Sequence, residues 1–426
     1  MDEGHCMYKL ANDLFPLCRS ITGNGTRDTL RRLQMEFPLL KMHEVPSGTK
    51  VFDWTVPKEW NIYGGYLDYE DGTRIVDFAD TNLHIMGYST PVDKWVELDE
   101  LQNHLYSIPD QPEWIPYVTS YYKERFGFCM KHNQRMSLKK GKYHAMINSE
   151  LKDGSMAYGE IILKGKSTQE IFLSTYICHP SMANNELSGP CLTIAIAKWL
   201  NKFASRRYTY RIVFIPETIG SITYLAKNLG YMKKHIIAGY NVSCVGDNRS
   251  YSYLESRNGN TLSDKAAKNI LNFMHPDYIS YPYLSRGSDE RQYNAPGIDL
   301  PICSVMRSKY GTYPEYHTSA DDMILISPDG FQGAFEVYVA IITAIENNYK
   351  YRATCLGEPQ LGKRGLYPTK SYKGSAAIVK SMMDFIAYAD GKRDLIEISD
   401  IIRVPTCDLF PIACKLKEEG LFKIVG

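Results

Sequence analysis

Between residues 141 and 350 the chain alternates short apolar runs with helix-length amphipathic stretches, and that alternation restricts it to an α/β architecture. Residues 158–163, 171–177, 210–216, 237–245 and 301–306 have the apolar, β-branched character of strands. Residues 192–203, 221–229, 264–273 and 330–347 repeat apolar side chains at helical spacing. Strands separated by helices form βαβ units, so a mainly parallel sheet flanked by helices is expected.

The texture changes on either side. Residues 1–48 carry a helical pattern at 26–33 after the loop Thr22-Gly23-Asn24-Gly25 and are assigned to the same α/β domain as 141–350. Residues 49–140 are rich in Trp, Tyr and Pro in short alternating runs, such as 51–56 and 64–69, and read as a small inserted β module. Residues 365–426 hold three helical patterns, 376–388, 398–402 and 408–419, and a final strand-like 421–425. Three helices and a terminal strand suggest a winged-helix-like unit.

Charge excludes several functions. The 49 basic residues nearly balance 48 acidic ones, so no electrostatic footprint for nucleic acid or an anionic membrane exists. The winged-helix-like unit has nine Lys or Arg against eight Asp or Glu, a net of +1, which favours a packing or dimerisation role over DNA binding. No apolar run is long enough to span a bilayer, and residues 1–10 lack the apolar stretch of a signal peptide. The ten cysteines form no CxxC pair, so free thiols and a cytoplasmic location are expected. Asp2, Glu3, His5 and Cys6 could chelate a metal, but a frayed terminus is the expectation.

The chemistry gathers at strand ends. One apolar strand runs into His179 and then a polar loop containing Glu186. In open α/β sheets, sites lie beyond the carboxyl ends of strands, where loops converge. By itself this loop reads equally as a hydrogen-bonded His with a helix-capping Glu. Further strand or loop ends supply Glu217, Asp247 and His317. Imidazole and carboxylate suit zinc, and a catalytic zinc keeps a position open for water. A free carboxylate nearby can take that water's proton, and Glu217 is the candidate. Residues 286–293 read equally as a substrate-side loop and a helix N-cap box. Arg307 reads as a surface salt bridge in preference to a substrate-carboxylate contact.

With these residues identified, the chain resembles the M28-type zinc aminopeptidases. It resembles more closely a bacterial family described as polysaccharide-biosynthesis proteins with an aminopeptidase-like domain. Carrying the resemblance are Leu14-Phe15-Pro16-Leu17-Cys18-Arg19-Ser20-Ile21-Thr22-Gly23, the His179 loop, Pro216-Glu217-Thr218-Ile219-Gly220-Ser221 and Tyr316-His317-Thr318-Ser319. The resemblance implies metal ligands at His179, Asp247 and His317 and a general base at Glu217. It also exposes departures. Ser181 stands for an Asp, Asn185 takes the place of the bridging Asp with Glu186 after it, and Thr218 replaces a second-metal ligand. One Zn2+ rather than two is therefore expected, held by His179, Glu186, Asp247 and His317.

The expected function is metal-dependent hydrolysis, of aminopeptidase type, of a peptide, amide or related small substrate. The alternative is a metal-binding scaffold of the same fold, weakly active or inactive, in polysaccharide or secondary-metabolite biosynthesis. Self-association through the C-terminal or inserted unit is the partner expectation.

Overall fold

The computed structural model describes residues 2–366 and 375–425. Two compact units divide the chain, Met1–Asn258 with Ile279–Phe335, and Gly259–Tyr278 with Glu336–Gly426.

The first unit is organised by an eight-stranded sheet. In chain order its strands are β1 Lys41–Pro46, β2 Ser155–Leu163, β3 Glu170–Tyr176, β4 Thr209–Ile215, β5 Ile236–Asn241, β6 Ser252–Leu254, β7 Ile279–Tyr281 and β8 Ile302–Met306. Across the sheet they run β1-β2-β4-β3-β5-β8-β6-β7. The central four are parallel, β3 pairing with β4 on one side and β5 on the other, and β5 with β8. The outer strands β1, β2 and β6 pair antiparallel with their inner neighbours, which gives a mixed sheet. Every residue of β3 is buried, as expected of a parallel strand covered on both faces.

The order fixes where a site can form. The chain leaves β3, returns as β4 on one side, then crosses to β5 on the other. Loops from adjacent strands consequently diverge at the carboxyl end of β3 and leave a crevice there.

The inserted module is a four-stranded antiparallel sheet in the order Arg74–Asp77, Glu59–Tyr69, Lys142–Lys152, Val92–Glu97. It reaches past residue 140, because Lys142–Lys152 pairs along most of its length with Glu59–Tyr69. The N-terminus is a helix, Glu3–Leu14, whose first turn is capped by the Asp2 side chain accepting from the His5 N–H, and is not frayed.

The second unit contains the helices Ser375–Tyr388, Leu395–Ile402 and Thr406–Glu418. Its three-stranded sheet, Asp390–Asp394, Lys350–Ala353, Phe422–Ile424, includes two strands the sequence pattern did not signal. Its small sheet therefore begins at Lys350, ahead of the expected boundary at 365, and residues 367–374 of the expected span lie outside the described residues. The helix Leu262–Met274 belongs to this unit although its position suggests the α/β core. Tyr351, Phe385, Leu395, Leu409, Leu416 and Phe422 give the unit its own apolar core.

Candidate metal centre at the end of the central strand

Four non-glycine residues with positive φ mark the crevice: Ser181 at 38°, Thr218 at 65°, Cys244 at 53° and His317 at 58°. Such backbone is unfavourable for residues with a Cβ and persists only where surroundings impose it, which is common at functional sites.

His179 stands three residues beyond β3 and is buried. Its Nδ1 lies 2.7 Å from Glu186 Oε2, and its carbonyl accepts from Arg19 Nε at 2.9 Å. Glu186 is set by a π-helical turn, Ala183–Leu187. Asp321 locks that turn, its carboxylate accepting the N–H of Asn184 at 2.6 Å, the N–H of Asn185 at 3.1 Å and the Tyr313 hydroxyl at 3.1 Å. Burial pushes the Asp321 carboxyl up to about 6 despite these donors.

Glu217 follows β4. Its Oε2 is 3.7 Å from His179 Nε2, and its Oε1 accepts from Ser288 Oγ at 2.7 Å. Burial raises its pKa, partly offset by His179. His317 lies on a neighbouring loop with its ring centroid 5.3 Å from that of His179. Its Nε2 is buried with no hydrogen-bond partner among the described residues. Burial, with His179 nearby, holds its pKa down to about 3, so the imidazole is neutral.

Two sides of the His179 ring are open to consideration as an ion site. On the Nδ1 side, ligand atoms of Cys178, His179 and Glu186 lie within 4.8 Å of one another. That side is already occupied in the electrostatic sense. The buried Arg19 guanidinium stands 3.7 Å from Glu186 Oε1, and burial pushes the Cys178 thiol up to about 11, so it keeps its proton. A cation there would meet the fixed positive charge of Arg19. The Nε2 side fits better. It offers His179 Nε2 with Glu217 Oε2 3.7 Å away, and the buried, unpartnered Nε2 of His317 on a ring whose centroid lies 5.3 Å from that of His179. Glu186 stands behind His179, 2.7 Å from Nδ1, so a ligand would meet this ring through Nε2.

Asp247 is buried in a hydrogen-bond network of its own. Its carboxylate accepts from Asn184 Nδ2 at 3.0 Å, the Arg249 N–H at 3.0 Å, and the Ser308 N–H and Oγ at 2.9 and 2.8 Å. Four protein donors leave it a structural hub rather than an open ligand. Strand β5 ends at Asn241, not at 245, so Asp247 lies well beyond the strand end. A second ion finds no anionic donor at the three departures. Ser181 Oγ donates to the Phe15 carbonyl at 2.9 Å, Asn185 Oδ1 accepts from Tyr176 at 2.9 Å, and Thr218 Oγ1 accepts from Arg291 at 2.8 Å.

The segment 286–293 does not form the expected helix N-cap box. The helix Glu290–Tyr293 has no side-chain cap at Asp289. Instead Asp289 is fully buried beneath the Glu217 turn and accepts from the Thr218 N–H and Ser221 Oγ, both at 2.7 Å. Burial and the charge of Glu217 push its carboxyl up to about 8. Arg307 is buried, not a surface ion pair; it donates to Asn248 Oδ1 at 2.7 Å and lies 3.9 Å over the Tyr251 ring.

Sequence reasoning gave no role to Tyr117. It comes from a loop of the inserted module that pairs with the His317 loop: Tyr117 N–H donates to the His317 carbonyl at 2.9 Å, and Ser319 N–H to the Ile115 carbonyl at 2.8 Å. Its ring stands edge-on to His179 at 5.1 Å and to His317 at 5.2 Å.

Comparisons with known proteins agree with this architecture. Residues 8–348 match a family described as a domain of unknown function, DUF4910, and residues 349–424 match a winged helix-turn-helix. A Clostridium acetobutylicum protein, named for polysaccharide biosynthesis and an aminopeptidase-like domain, is 44% identical over 402 residues, 93% of this chain and 91% of that protein. A crystal structure from the same organism, titled as a peptidase without established activity, is 42% identical with a TM-score of 0.93, covering 99% of this chain and 96% of that one. The zinc aminopeptidase of Bacillus subtilis shares the fold, at 12% identity and a TM-score of 0.57, over 80% of this chain and 95% of its own. Among the described residues no helix is long and apolar enough to cross a membrane.

Proposed function

We propose that this chain, which belongs to the DUF4910 family and carries an aminopeptidase-like domain, is a single-metal hydrolase of peptide, amide or related small substrates. The observation that carries the reading is the buried, unpartnered Nε2 of His317 on a ring next to that of His179, whose own Nε2 lies 3.7 Å from the Glu217 carboxylate. His179 and His317 would hold zinc, which supplies the Lewis acidity that makes water a nucleophile near neutral pH. Glu217 acts as proton acceptor and then as donor to the leaving amine. Its carboxylate is held by Ser288, and burial moves its pKa toward the working range. Glu186 and Arg19 orient His179 from the opposite side. Two imidazole ligands are fewer than the three protein ligands usual for catalytic zinc, so the ion is expected to exchange readily.

The neutral groups at Ser181, Asn185 and Thr218 support a second reading, a binding protein of the same fold without turnover. The two separate experimentally. Zinc-supplemented protein is assayed against aminoacyl anilides and simple amides, with bound metal measured in parallel. The hydrolase reading expects Glu217→Gln to lose about 10³-fold or more in kcat while retaining zinc, and His179→Ala to lose both. Zinc binding with no turnover of any such substrate favours the scaffold. Wild-type protein that takes up no zinc rejects the metal site.

A further inference from the structure

Three side chains of one short segment grip the turn that carries Glu217. Ser288 Oγ donates to Glu217 Oε1, Asp289 accepts the Thr218 N–H, and Arg291 Nη2 donates to Thr218 Oγ1 at 2.8 Å. Ser288 and Asp289 are buried, whereas Arg291 is exposed. Thr218 Oγ1 is the one hydrogen-bond partner of Arg291 among the described residues, and no carboxylate there forms an ion pair with it. Its charge reaches Glu217, lowering a pKa that burial raises. The Glu217 side chain is 23% exposed, so this carboxylate and the guanidinium held on the next residue are both open to a solute. The other cations of the region do not meet these conditions. Arg19 is buried against Glu186, Arg249 pairs with Glu315 at 2.8 Å, and Arg307 and Lys309 are buried. Arg286 is exposed but lies over the Tyr283 ring at 4.8 Å, with no bond to the Glu217 turn.

We infer that Arg291 reads a carboxylate on the substrate, so that the amides turned over at this centre are acylated amino acids with a free carboxylate, in preference to compounds with a free amine beside the scissile bond. Thr218 stands where the resemblance placed a second-metal ligand, and its neutral hydroxyl holds a guanidinium in place of a carboxylate holding a metal ion. A guanidinium repels the ammonium of an amino terminus and pairs with a carboxylate through its planar fork. One guanidinium, already opposed to the charge of Glu217, suits a monoanion better than a phosphate dianion. The inference rests on the hydrolytic reading above and names its substrate class.

The test titrates hippurate, and its neutral amide hippuramide, into full-length zinc-supplemented protein in a calorimeter. The wild type is expected to bind hippurate about 10- to 100-fold more tightly than hippuramide. Arg291→Gln should bind hippurate no better than hippuramide, with its hippuramide affinity and zinc uptake unchanged. Arg291→Lys, which keeps the charge without the fork, should keep part of the preference. A preference that survives in Arg291→Gln, as a carboxylate bound to zinc would give, overturns the inference. So does a wild type that binds the two probes equally or binds neither, and if that protein hydrolyses aminoacyl anilides the hydrolytic reading stands. An Arg291-dependent preference in a protein that turns over no amide rejects the hydrolytic reading, and the substrate class falls with it.

Discussion

The two units of this chain are built by different rules. In the C-terminal unit two helices begin at local capping boxes, Thr261 with Asp264 and Asp394 with Glu397. Its one non-glycine residue with positive φ, among those described, is Arg403, at the left-handed position that commonly ends a helix. In the first unit Arg19, Glu186, Asp247, Asp289, Glu290 and Asp321 are all almost wholly buried, and four left-handed residues cluster at one crevice. Buried charge and strained backbone are unfavourable alone and persist where other contacts over-determine them. The difference teaches where this protein holds its chemistry, since one unit is locally consistent and the other sacrifices local preference around His179.

The comparison can be broken by substitution. Asp321→Asn should have the largest effect on stability, about 3 kcal/mol in denaturant unfolding. The replacement amide keeps one acceptor and turns its NH2 toward either the Asn184 N–H or the Asn185 N–H, which now donate to different carboxylate oxygens. Loss below about 1 kcal/mol would show that this buried carboxylate does not hold the π-helical turn.

Acid should act on the first unit through Glu59. Arg27 donates to both of its oxygens, at 2.7 and 2.6 Å, and holds its pKa down to about 2. A depressed carboxylate contributes stability above its unfolded pKa, near 4.5, which is lost as pH falls toward 2. The expected loss is about 2 kcal/mol after solvent screening, and Glu59→Gln should flatten the slope in that window. An unchanged slope in the variant would assign acid sensitivity elsewhere.

The smallest effect is expected in the other unit. Asp394→Ala removes a cap whose Oδ1 accepts from the Glu397 N–H at 2.9 Å, and should destabilise by about 1 kcal/mol without altering zinc uptake. A change in metal affinity would erase the distinction between the units.

The same contrast explains what the sequence made legible. Strands β2 to β5 and β8 announced themselves because apolar runs of strand length are a local signal, and His179, Glu217 and His317 were visible as ionisable residues after such runs or in polar loops. The helices of the C-terminal unit were readable for the same reason. Its strands Lys350–Ala353 and Asp390–Asp394 were not, being short and largely polar. Asp247 was read as following a strand because the apolar run continues to 245, while hydrogen-bonded pairing stops at Asn241 and Cys244 turns the chain through a positive φ. Glu186 was expected as a metal ligand; its carboxylate lies 2.7 Å from His179 Nδ1, and sequence cannot tell which ring nitrogen it meets. Tyr117 lies in an irregular loop with no periodicity, and its approach to the imidazoles depends on pairing with residues about two hundred positions away.

The side of the His179 ring that takes the ion is the most direct question to ask of this molecule. Crystals of the full chain soaked in zinc, with anomalous diffraction measured at the zinc edge, would answer it. One peak about 2.0–2.1 Å from both His179 Nε2 and His317 Nε2 is the expected result. A peak among Cys178, His179 Nδ1 and Glu186, or no peak near either imidazole, would contradict it.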